Sequence, residues 1–342
     1  MSGPNPAAQN VGNVLTAQAI LFDKELIPNL KGETDAFVSA AERRVQPLHM
    51  GINRTFFQYN TLGADTAQSA DGTVGSPEFI TQVSAPAQVG EWNNYSNFSS
   101  FVIASAIDEV VGNSAVELGY QGGQTISELY SAVADSASSV DANVNQSSLL
   151  ASPYTLDLGT YRELKQQLVA HNVLPCKKGK FMGVVSPNVL GDIYNATTVN
   201  NSIVDFWKYG MQDKFDKMAG SDQKAEIELP GTNIVIKQTP FVTTTANYQS
   251  AGLGTAYRSY VFGNYAMIGV WLEVPGDTDL GEGDWRTIDC RVVTDAPPSS
   301  FDPTATIGGW CSYKFHQTIT LPPASGLNTQ RIRWIDSIPA IQ

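Results

Sequence analysis

Hydrophobic and polar positions change their period along the chain, and the N-terminal third has the pattern of strands. Residues 52–60 are rich in β-branched and aromatic side chains and predict one strand, and residues 78–84 and 89–101 predict strands that return from it. The stretch 62–77 between them is a Gly, Ala, Ser and Asp loop. Because an isolated two-stranded excursion is only marginally stable in water, it must pack on its own domain or on another subunit.

A long helix is predicted after this excursion. Seven positions recur at three- and four-residue spacing, which makes one stripe over about six turns: Val116, Tyr120, Gly123, Ile126, Tyr130, Val133 and Ala137. Glycines at positions 119, 122 and 123 weaken the helix locally. The run 135–153 is dominated by Ser, Ala and Asn, and we interpret it as a hinge or a boundary.

The first fifty residues predict an arm. Residues 5–20 are small and polar with scattered apolar positions, and residues 22–28 predict one short amphipathic turn ended by Pro28. This segment has too little apolar surface to fold alone, so we expect it to lie on another part of the protein. Residues 1–18 lack the basic and then apolar pattern that is typical of a secretory signal.

Helix signals appear from residue 157 onwards. Thr160 and Glu163 have the spacing of a capping box, which predicts a short helix that ends near residues 171–172. Ser186 and Pro187 place a cap and a first-turn proline before a second helix, whose apolar positions are Val189, Leu190 and Ile193.

Strand signals alternate with these helices. Residues 181–185 predict a buried strand, and residues 227–229 and 234–236 flank a Pro-Gly-Thr-Asn turn that predicts a hairpin. Residues 260–271 predict another strand region, and part of 310–335 alternates between apolar and polar positions. The second half of the chain is therefore predicted to be mixed α and β.

Charge is distributed unevenly along the chain. The protein has 33 Asp and Glu residues against 21 Lys and Arg residues, a formal net charge of −12. Residues 55–161 hold eleven of the carboxylates and no Lys, Arg or His, so the remainder is almost neutral. This cation-free window cannot form ion pairs within itself, and it lacks the side chains with which proteins bind nucleic-acid phosphates. Its aromatic, small and hydroxylated side chains are typical of surfaces that packing buries.

The chain carries no sequence motif for catalysis or cofactor binding. Gly-x-Ser-x-Gly, Gly-x-Gly-x-x-Gly and Walker-type patterns are absent. None of the histidines has a neighbouring ligand at metal spacing: His49, His171 and His316. The cysteines are odd in number and widely spaced, which is typical of reduced thiols in a cytosolic protein: Cys176, Cys290 and Cys311. We predict a protein that is not an enzyme and has no cofactor, although a triad built from distant residues would leave no motif.

The acidic loop 276–284 is the best candidate for a cation site, because hard oxygen ligands cluster there. The loop departs from the calcium-loop pattern at the third ligand and at the downstream glutamate. We therefore interpret it as a solvated acidic turn, and we predict no metal site.

Four short motifs, taken in order, carry a resemblance to a known family. Residues 185–193 combine a strand end, a proline and a short helix, and residues 231–240 form a glycine-turn strand that ends in Thr-Pro. Residues 261–266 contain Phe-Gly-x-x-Ala, and a Gly-Trp strand at 309–315 precedes a basic Arg-Ile-Arg at 331–333. With these motifs the chain resembles the major capsid proteins of tailed bacteriophages with the HK97-type fold, over roughly residues 50–340. It is most similar to the branch typified by the coat protein of phage N4.

The resemblance implies an α+β fold of four parts. These are an N-terminal arm at 1–50, an extended β loop at 51–101, a peripheral domain with a spine helix at 102–150 and 301–342, and a mixed α/β axial domain at 151–300. It implies self-assembly into the icosahedral shell that encloses the double-stranded DNA genome of a tailed phage. The expected partners are other copies in pentamers and hexamers, together with portal, scaffolding and decoration proteins. The expected location is the virion capsid, assembled in the host bacterial cytoplasm without a membrane.

Contacts between subunits in such a shell typically bury more than about 2,000 Å² per pair and favour aromatic and aliphatic residues. We expect five aromatic residues of the extended loop to serve as anchors for a neighbouring subunit, and the alternative is an ordinary intramolecular core: Phe56, Phe57, Tyr59, Trp92 and Tyr95.

Two departures from the family pattern limit what the resemblance implies. In some relatives a lysine on the extended loop forms an isopeptide with an asparagine of a neighbour, and the cation-free window has no lysine for that cross-link. No scaffold-like prodomain is evident in the sequence, so we expect any scaffolding function to belong to a separate protein. The acidic balance leads to the hypothesis that the shell encloses DNA without binding it firmly, because like charges repel.

Two other classes stay open at this point. One is an encapsulin-like protein cage that packages enzymes, which would need a groove for docking its cargo. The other is a β-rich tail or adhesion protein, which predicts monomers or trimers and strands in place of the helix near Thr160.

Overall fold

The computed structural model describes residues 36–47, 49–60, 62, 78–99, 110–137, 156, 158–176, 179–195, 227–229, 231–245, 255–272, 288–293, 307–323 and 331–339. The acidic loop 276–284, most of the predicted arm and most of the predicted 62–77 loop lie outside these residues.

Three helices longer than two turns are present in the described part of the chain. They are α1 (Val110–Ser136), α2 (Leu158–Ala170) and α3 (Pro187–Asn195). The long helix is confirmed, but the phase of its apolar stripe was wrong in the first half. Ala115 and Leu118 are buried there while Tyr120 is exposed. Gly119, together with its two glycine neighbours at 122 and 123, lies on the buried face.

Thirteen strands are described, and they form two larger sheets and one ribbon. In chain order the strands are β1 (Glu42–Gln46), β2 (Asn53–Tyr59), β3 (Gln82–Gln88), β4 (Gly90–Ser99), β5 (Phe181–Val185), β6 (Ile227–Leu229), β7 (Ile234–Gln238), β8 (Thr244–Thr245), β9 (Ala256–Phe262), β10 (Ile268–Leu272), β11 (Ile288–Val293), β12 (Ile307–Thr320) and β13 (Ile332–Ser337).

The five-stranded sheet is organised around β12. One edge of β12 pairs antiparallel with β4, and the other edge pairs with β11 and then with β10. β1 completes the sheet by pairing parallel with β10. The helix α1 packs on one face, where Ile126, Tyr130, Trp271 and Phe315 are buried in one cluster.

The six-stranded sheet has the order β13-β9-β5-β7-β6, and β8 pairs with β9. Both of its faces are covered, which explains why all five residues of β5 are buried. Met182 and Val184 point into the cluster shared with α1, while Phe181 and Val185 point into a second cluster with α2 and α3. The predicted buried strand, the following helix and the β6–β7 hairpin are all confirmed.

The predicted start of α2 is wrong, and its predicted end is confirmed. Thr160 is not the N-cap, because the helix already begins at Leu158, whose side chain is fully buried. The helix ends as predicted, with Asn172 at a φ of 56° after the last turn. The Val173 amide donates to the Leu168 carbonyl at 3.0 Å. A hydrogen bond between residues five positions apart is typical of a helix C-terminus.

Three predicted segments have different bounds in the structure. Residues 260–271 form two strands, because Tyr265 adopts a φ of 54° in a turn that sends β9 and β10 into different sheets. The returning strand predicted at 78–84 begins only at Gln82 and continues through Pro86. Residues 36–46, which the arm prediction included, contribute the buried Phe37 and β1 to the folded core.

The division of the strands between the two larger sheets does not follow the predicted domain bounds. β10 and β11 lie within 151–300 but belong to the five-stranded sheet. β13 lies within 301–342 but belongs to the six-stranded sheet. The chain therefore crosses between the two sheets three times, between β4 and β5, between β9 and β10, and between β12 and β13.

A cluster of polar side chains joins the C-terminal end of α1 to the six-stranded sheet. Arg258 donates to both carboxylate oxygens of Asp336 at 2.7 and 3.0 Å and to Asp135 at 2.9 Å, and its guanidinium lies 3.5 Å from the Trp334 ring centre. Asp135 also accepts hydrogen bonds from Tyr260 at 2.8 Å and from Thr243 at 2.6 Å. Burial by itself lowers the pKa of the Arg258 guanidinium, but the two carboxylates outweigh it and hold that pKa above its ordinary value.

Candidate self-assembly surface

The strands β2 and β3 form a two-stranded ribbon outside the larger sheets. They pair antiparallel over seven residues, from Asn53 opposite Gln88 to Tyr59 opposite Gln82. A ribbon of two strands has too little buried surface to be stable alone. Its fold therefore depends on whatever covers its two faces.

The inward face of the ribbon packs on the five-stranded sheet. Ala87 joins Ile268 and Val270 in a small buried cluster, and Phe56 packs against it. Arg54 lies with its guanidinium 5.4 Å from the Phe56 ring centre and donates to the Val45 carbonyl at 2.7 Å. These contacts fix the base of the ribbon on its own subunit.

The outward face of the ribbon is exposed and carries no charged residue. Its eight exposed side chains alternate with the inward ones along both strands: Asn53, Thr55, Phe57, Tyr59, Gln82, Ser84, Pro86 and Gln88. Phe57 is 61% exposed and Tyr59 is 63% exposed. Two large aromatic side chains on a surface without charge match the composition of a protein–protein interface.

The apolar surface continues beyond the strands at the distal end of the ribbon. Phe79 is 82% exposed, and its neighbour Ile80 is exposed as well. The sequence analysis predicted strand residues at these two positions and did not predict their exposure. The signal that was present is the adjacency of two large apolar side chains without alternation, which fits neither face of a half-buried strand.

The five aromatic residues predicted as anchors do not form one surface. Phe56 lies on the inward face of the ribbon, whereas Phe57 and Tyr59 lie on the outward face. Trp92 is 39% exposed on β4, where its indole donates to the Gln317 carbonyl at 3.4 Å. Tyr95 is 63% exposed and lies three residues further along the same strand, so it projects from the opposite face of the five-stranded sheet.

The cation-free window obtains its ion pairs from other parts of the chain. Glu91 on β4 binds Lys314 at 2.9 Å and His316 at 3.2 Å, both on the adjacent strand β12. The hydrogen bond from Lys314 is the largest of the influences that lower the pKa of the Glu91 carboxyl group. Asp135 pairs with Arg258, which also lies outside the window. Both pairs thus join the window to the C-terminal half of the chain.

No group of three or more His, Cys, Asp or Glu side chains in the described part of the chain is arranged to hold a metal ion. Cys176 donates from its thiol to the Phe262 carbonyl at 3.1 Å, next to the α1 cluster. Among the helices that the structure describes, none is long and apolar enough to cross a membrane.

Solved structures of phage capsids share the fold of this chain. The capsid of Ralstonia phage GP4 matches with a TM-score of 0.56 at 13% sequence identity, covering 88% of this chain and 87% of that chain. The capsid of cyanophage P-SCSP1u matches with a TM-score of 0.53 at 11% identity, covering 86% and 85% of the two chains. The capsid asymmetric unit of cyanophage Pam1 matches with a TM-score of 0.53 at 10% identity, covering 90% and 93%. The predicted HK97-type fold is thereby confirmed.

Comparisons of sequence alone find no relative. No protein-family model and no curated protein matches the chain.

Proposed function

We propose that this chain is a major capsid protein, which self-assembles into the icosahedral shell that encloses the double-stranded DNA of a tailed phage. The observation that carries the proposal is the match of nearly the whole chain, 88%, to the Ralstonia phage GP4 capsid with comparable coverage of that chain. A match confined to one sheet would leave room for a different assembly. A match over 88% of the chain cannot be confined to one sheet.

The ribbon supports self-assembly independently of the comparison. It extends from the five-stranded sheet with one face covered and one face exposed, and the exposed face has aromatic side chains and no charge. A monomeric protein gains nothing from such a surface, since exposed apolar patches favour association. We propose that Phe57 and Tyr59 contact a neighbouring copy. Trp92 and Tyr95 stay proposed as contacts made by other faces, and Phe56 is proposed as a support of the ribbon.

The domains are proposed to follow the sheets. The five-stranded sheet with α1 corresponds to the peripheral domain, with α1 as its spine helix, and the six-stranded sheet with α2 and α3 corresponds to the axial domain. The extended loop then consists of the ribbon and residues 60–81. The arm consists of the residues that precede Ala36.

Membership in the branch typified by the phage N4 coat protein is the finer part of the proposal. Its support is the order of the sequence motifs on described elements: β5 followed by Pro187 at the start of α3, the turn at Gly231 before β7, and Gly263 at the end of β9. The proposed partners are other copies in pentamers and hexamers, with portal, scaffolding and decoration proteins. The proposed site of assembly is the host bacterial cytoplasm.

Negative-stain electron microscopy of the purified full-length protein tests the proposal. We expect closed hollow particles of uniform diameter. Particles that contain a co-purifying enzyme would instead identify an encapsulin-like cage. Only monomers or trimers at all concentrations would contradict a shell protein. The adhesion alternative is already less consistent with the structure, because α2 occupies the position near Thr160 where that class predicts strands.

The acidic balance of the chain supports a shell that encloses DNA without binding it firmly. The cation-free window holds eleven carboxylates. Two of them, Asp135 and Glu91, pair with cations from outside the window, Arg258 and Lys314. We expect a filter-binding titration of assembled particles with duplex DNA at low salt to show only weak retention. Tight binding under these conditions would contradict this part of the proposal.

A further inference from the structure

The seam between α1 and the five-stranded sheet contains polar groups that the assembly function does not use. Tyr130 projects from α1 and is fully buried, and its hydroxyl reaches the backbone of β10 at the position where Gly269 has no side chain. A methyl group on Gly269 would overlap this hydroxyl. The hydroxyl has no hydrogen-bond partner among the groups that the structure describes.

A second buried polar side chain faces the same seam. Gln317 is 1% exposed and lies on β12 between Phe315 and Ile319, which both pack into the α1 cluster. Because side chains alternate along a strand, Gln317 projects to the same side as these two residues. Neither its amide oxygen nor its amide nitrogen has a hydrogen-bond partner in the described part of the chain.

The register of the strands brings these groups to one place. Gln317 is directly opposite Trp271 in the β10–β12 pair. The indole nitrogen of Trp271 lies 3.7 Å from the position that a Gly269 side chain would occupy, next to the Tyr130 hydroxyl. Arg43, opposite Gly269 on β1, lies with its guanidinium 5.1 Å from the Trp271 ring centre.

We propose that this seam is a binding site for one internal water molecule, which joins the Tyr130 hydroxyl to the Gln317 amide. Buried polar groups in proteins are almost always hydrogen-bonded, and ordered water supplies the partner where protein groups do not. A water molecule both donates and accepts, and a carboxamide and a hydroxyl together offer both kinds of group. The water then links the long helix to the centre of the five-stranded sheet.

Two features distinguish this site from a direct contact or an anion site. The phenol of Tyr130 ends against Gly269 on β10, whereas Gln317 lies on the neighbouring strand β12. The amide of Gln317 offers an acceptor oxygen as well as a donor nitrogen, and an acceptor does not favour an anion. Water satisfies both members of the pair.

A double-mutant cycle on the full-length chain tests the link, with Tyr130→Phe and Gln317→Leu made singly and together. Each substitution leaves the remaining partner with one hydrogen bond fewer, so we expect each to lower the equilibrium constant for folding about tenfold. We expect the double variant to lose much less than the product of the two, because it leaves no buried polar partner behind. Multiplicative effects would overturn the proposal.

Tyr161→Phe is the matched control. Tyr161 is also a fully buried tyrosine, but it lies on α2 in the other core cluster, so its effect should combine multiplicatively with that of Gln317→Leu. A density map that resolves ordered water should show one peak within hydrogen-bond distance of Tyr130 and Gln317, and no peak in the Gln317→Leu variant. A direct hydrogen bond between the two side chains, or replacement of the peak by bromide in a bromide buffer, would overturn the assignment of water.

Discussion

The six-stranded sheet and the two-stranded ribbon use the same kinds of side chain in opposite ways. In the sheet, both faces are covered by helices and by the neighbouring sheet, and every residue of β5 is buried. In the ribbon, side chains also alternate between the two faces, but only one face is packed against the protein. Phe56 lies on the packed face, whereas Phe57 and Tyr59 are exposed to solvent. The sheet is completed within one chain, whereas the described residues leave the outward face of the ribbon exposed.

Removal of the polar link between α1 and the six-stranded sheet should have the largest effect on folding. Arg258→Ala leaves Asp135 and Asp336 as partly buried carboxylates without their cation, so we expect a loss of about 3 kcal/mol in the free energy of unfolding, measured with urea. Arg44→Ala is the control, because Arg44 pairs with Glu42 on the surface and should contribute less than about 1 kcal/mol. Equal effects of the two substitutions would contradict a structural role of the link.

Close packing of α1 against β10 predicts a smaller loss. Gly269→Ala should destabilise the protein by about 1–3 kcal/mol, since the new methyl overlaps the Tyr130 hydroxyl. In a Tyr130→Phe background the nearest ring carbon lies at 3.5 Å, which is ordinary contact, so most of that loss should disappear. Urea unfolding of the two single variants and the double variant measures the difference. If Gly269→Ala costs as much stability in the Tyr130→Phe background as in the original protein, the overlap with the Tyr130 hydroxyl is not the cause of the loss.

Substitutions of two adjacent phenylalanines allow the two faces of the ribbon to be compared directly. Phe56→Ala should lower the free energy of unfolding by about 1–2 kcal/mol, because Phe56 packs on the five-stranded sheet. Phe57→Ala should change it by less than about 0.5 kcal/mol, since that ring is exposed, and yet it should prevent particle formation. Unfolding measurements and electron microscopy of both variants test this separation. Normal particles from Phe57→Ala would show that the outward face is not a subunit contact.

Alkaline pH should weaken the packed layers through their buried tyrosines. Burial raises the pKa of Tyr130 to about 12, and it also raises the pKa values of Tyr161 and Tyr260 above the ordinary range. The folded pKa exceeds the unfolded value of 10.0, so the stabilisation is complete below pH 10 and is lost as the pH rises towards 12. For Tyr130 alone we expect a loss of about 1 kcal/mol at pH 11, which Tyr130→Phe should remove from the pH dependence of urea unfolding. An identical alkaline decline in that variant would contradict this assignment.

Local patterns in the sequence predicted the elements whose environment is uniform. β5 is apolar throughout and buried on both faces, and Pro187 begins α3 where its missing amide costs no hydrogen bond. The β6–β7 hairpin follows from the turn that includes Gly231 and Asn233, both at positive φ. The capping box at Thr160 was wrong because buried apolar contacts of Leu158 extend the helix beyond the local signal.

The candidate surface was predicted less completely than the fold. The role of the five aromatic residues as subunit contacts stays a prediction, and alternation alone does not say which face of a strand is covered. Phe56 and Phe57 have the same side chain in adjacent positions, and only the position of β10 makes one of them inward. Trp92 and Tyr95 were grouped with the ribbon because they are near it in sequence, although β4 pairs with β12.

The sequence by itself determined the period of each element, the absence of cations from residues 55–161 and the order of motifs that led to the HK97-type fold. Those features depend on neighbouring residues or on composition, so they can be read without coordinates. The tertiary structure decided which strands share a sheet, where Asp135 finds Arg258, and which face of the ribbon is left in solvent. Most of these depend on contacts between residues that are distant in the sequence, and no local pattern encodes such a pairing.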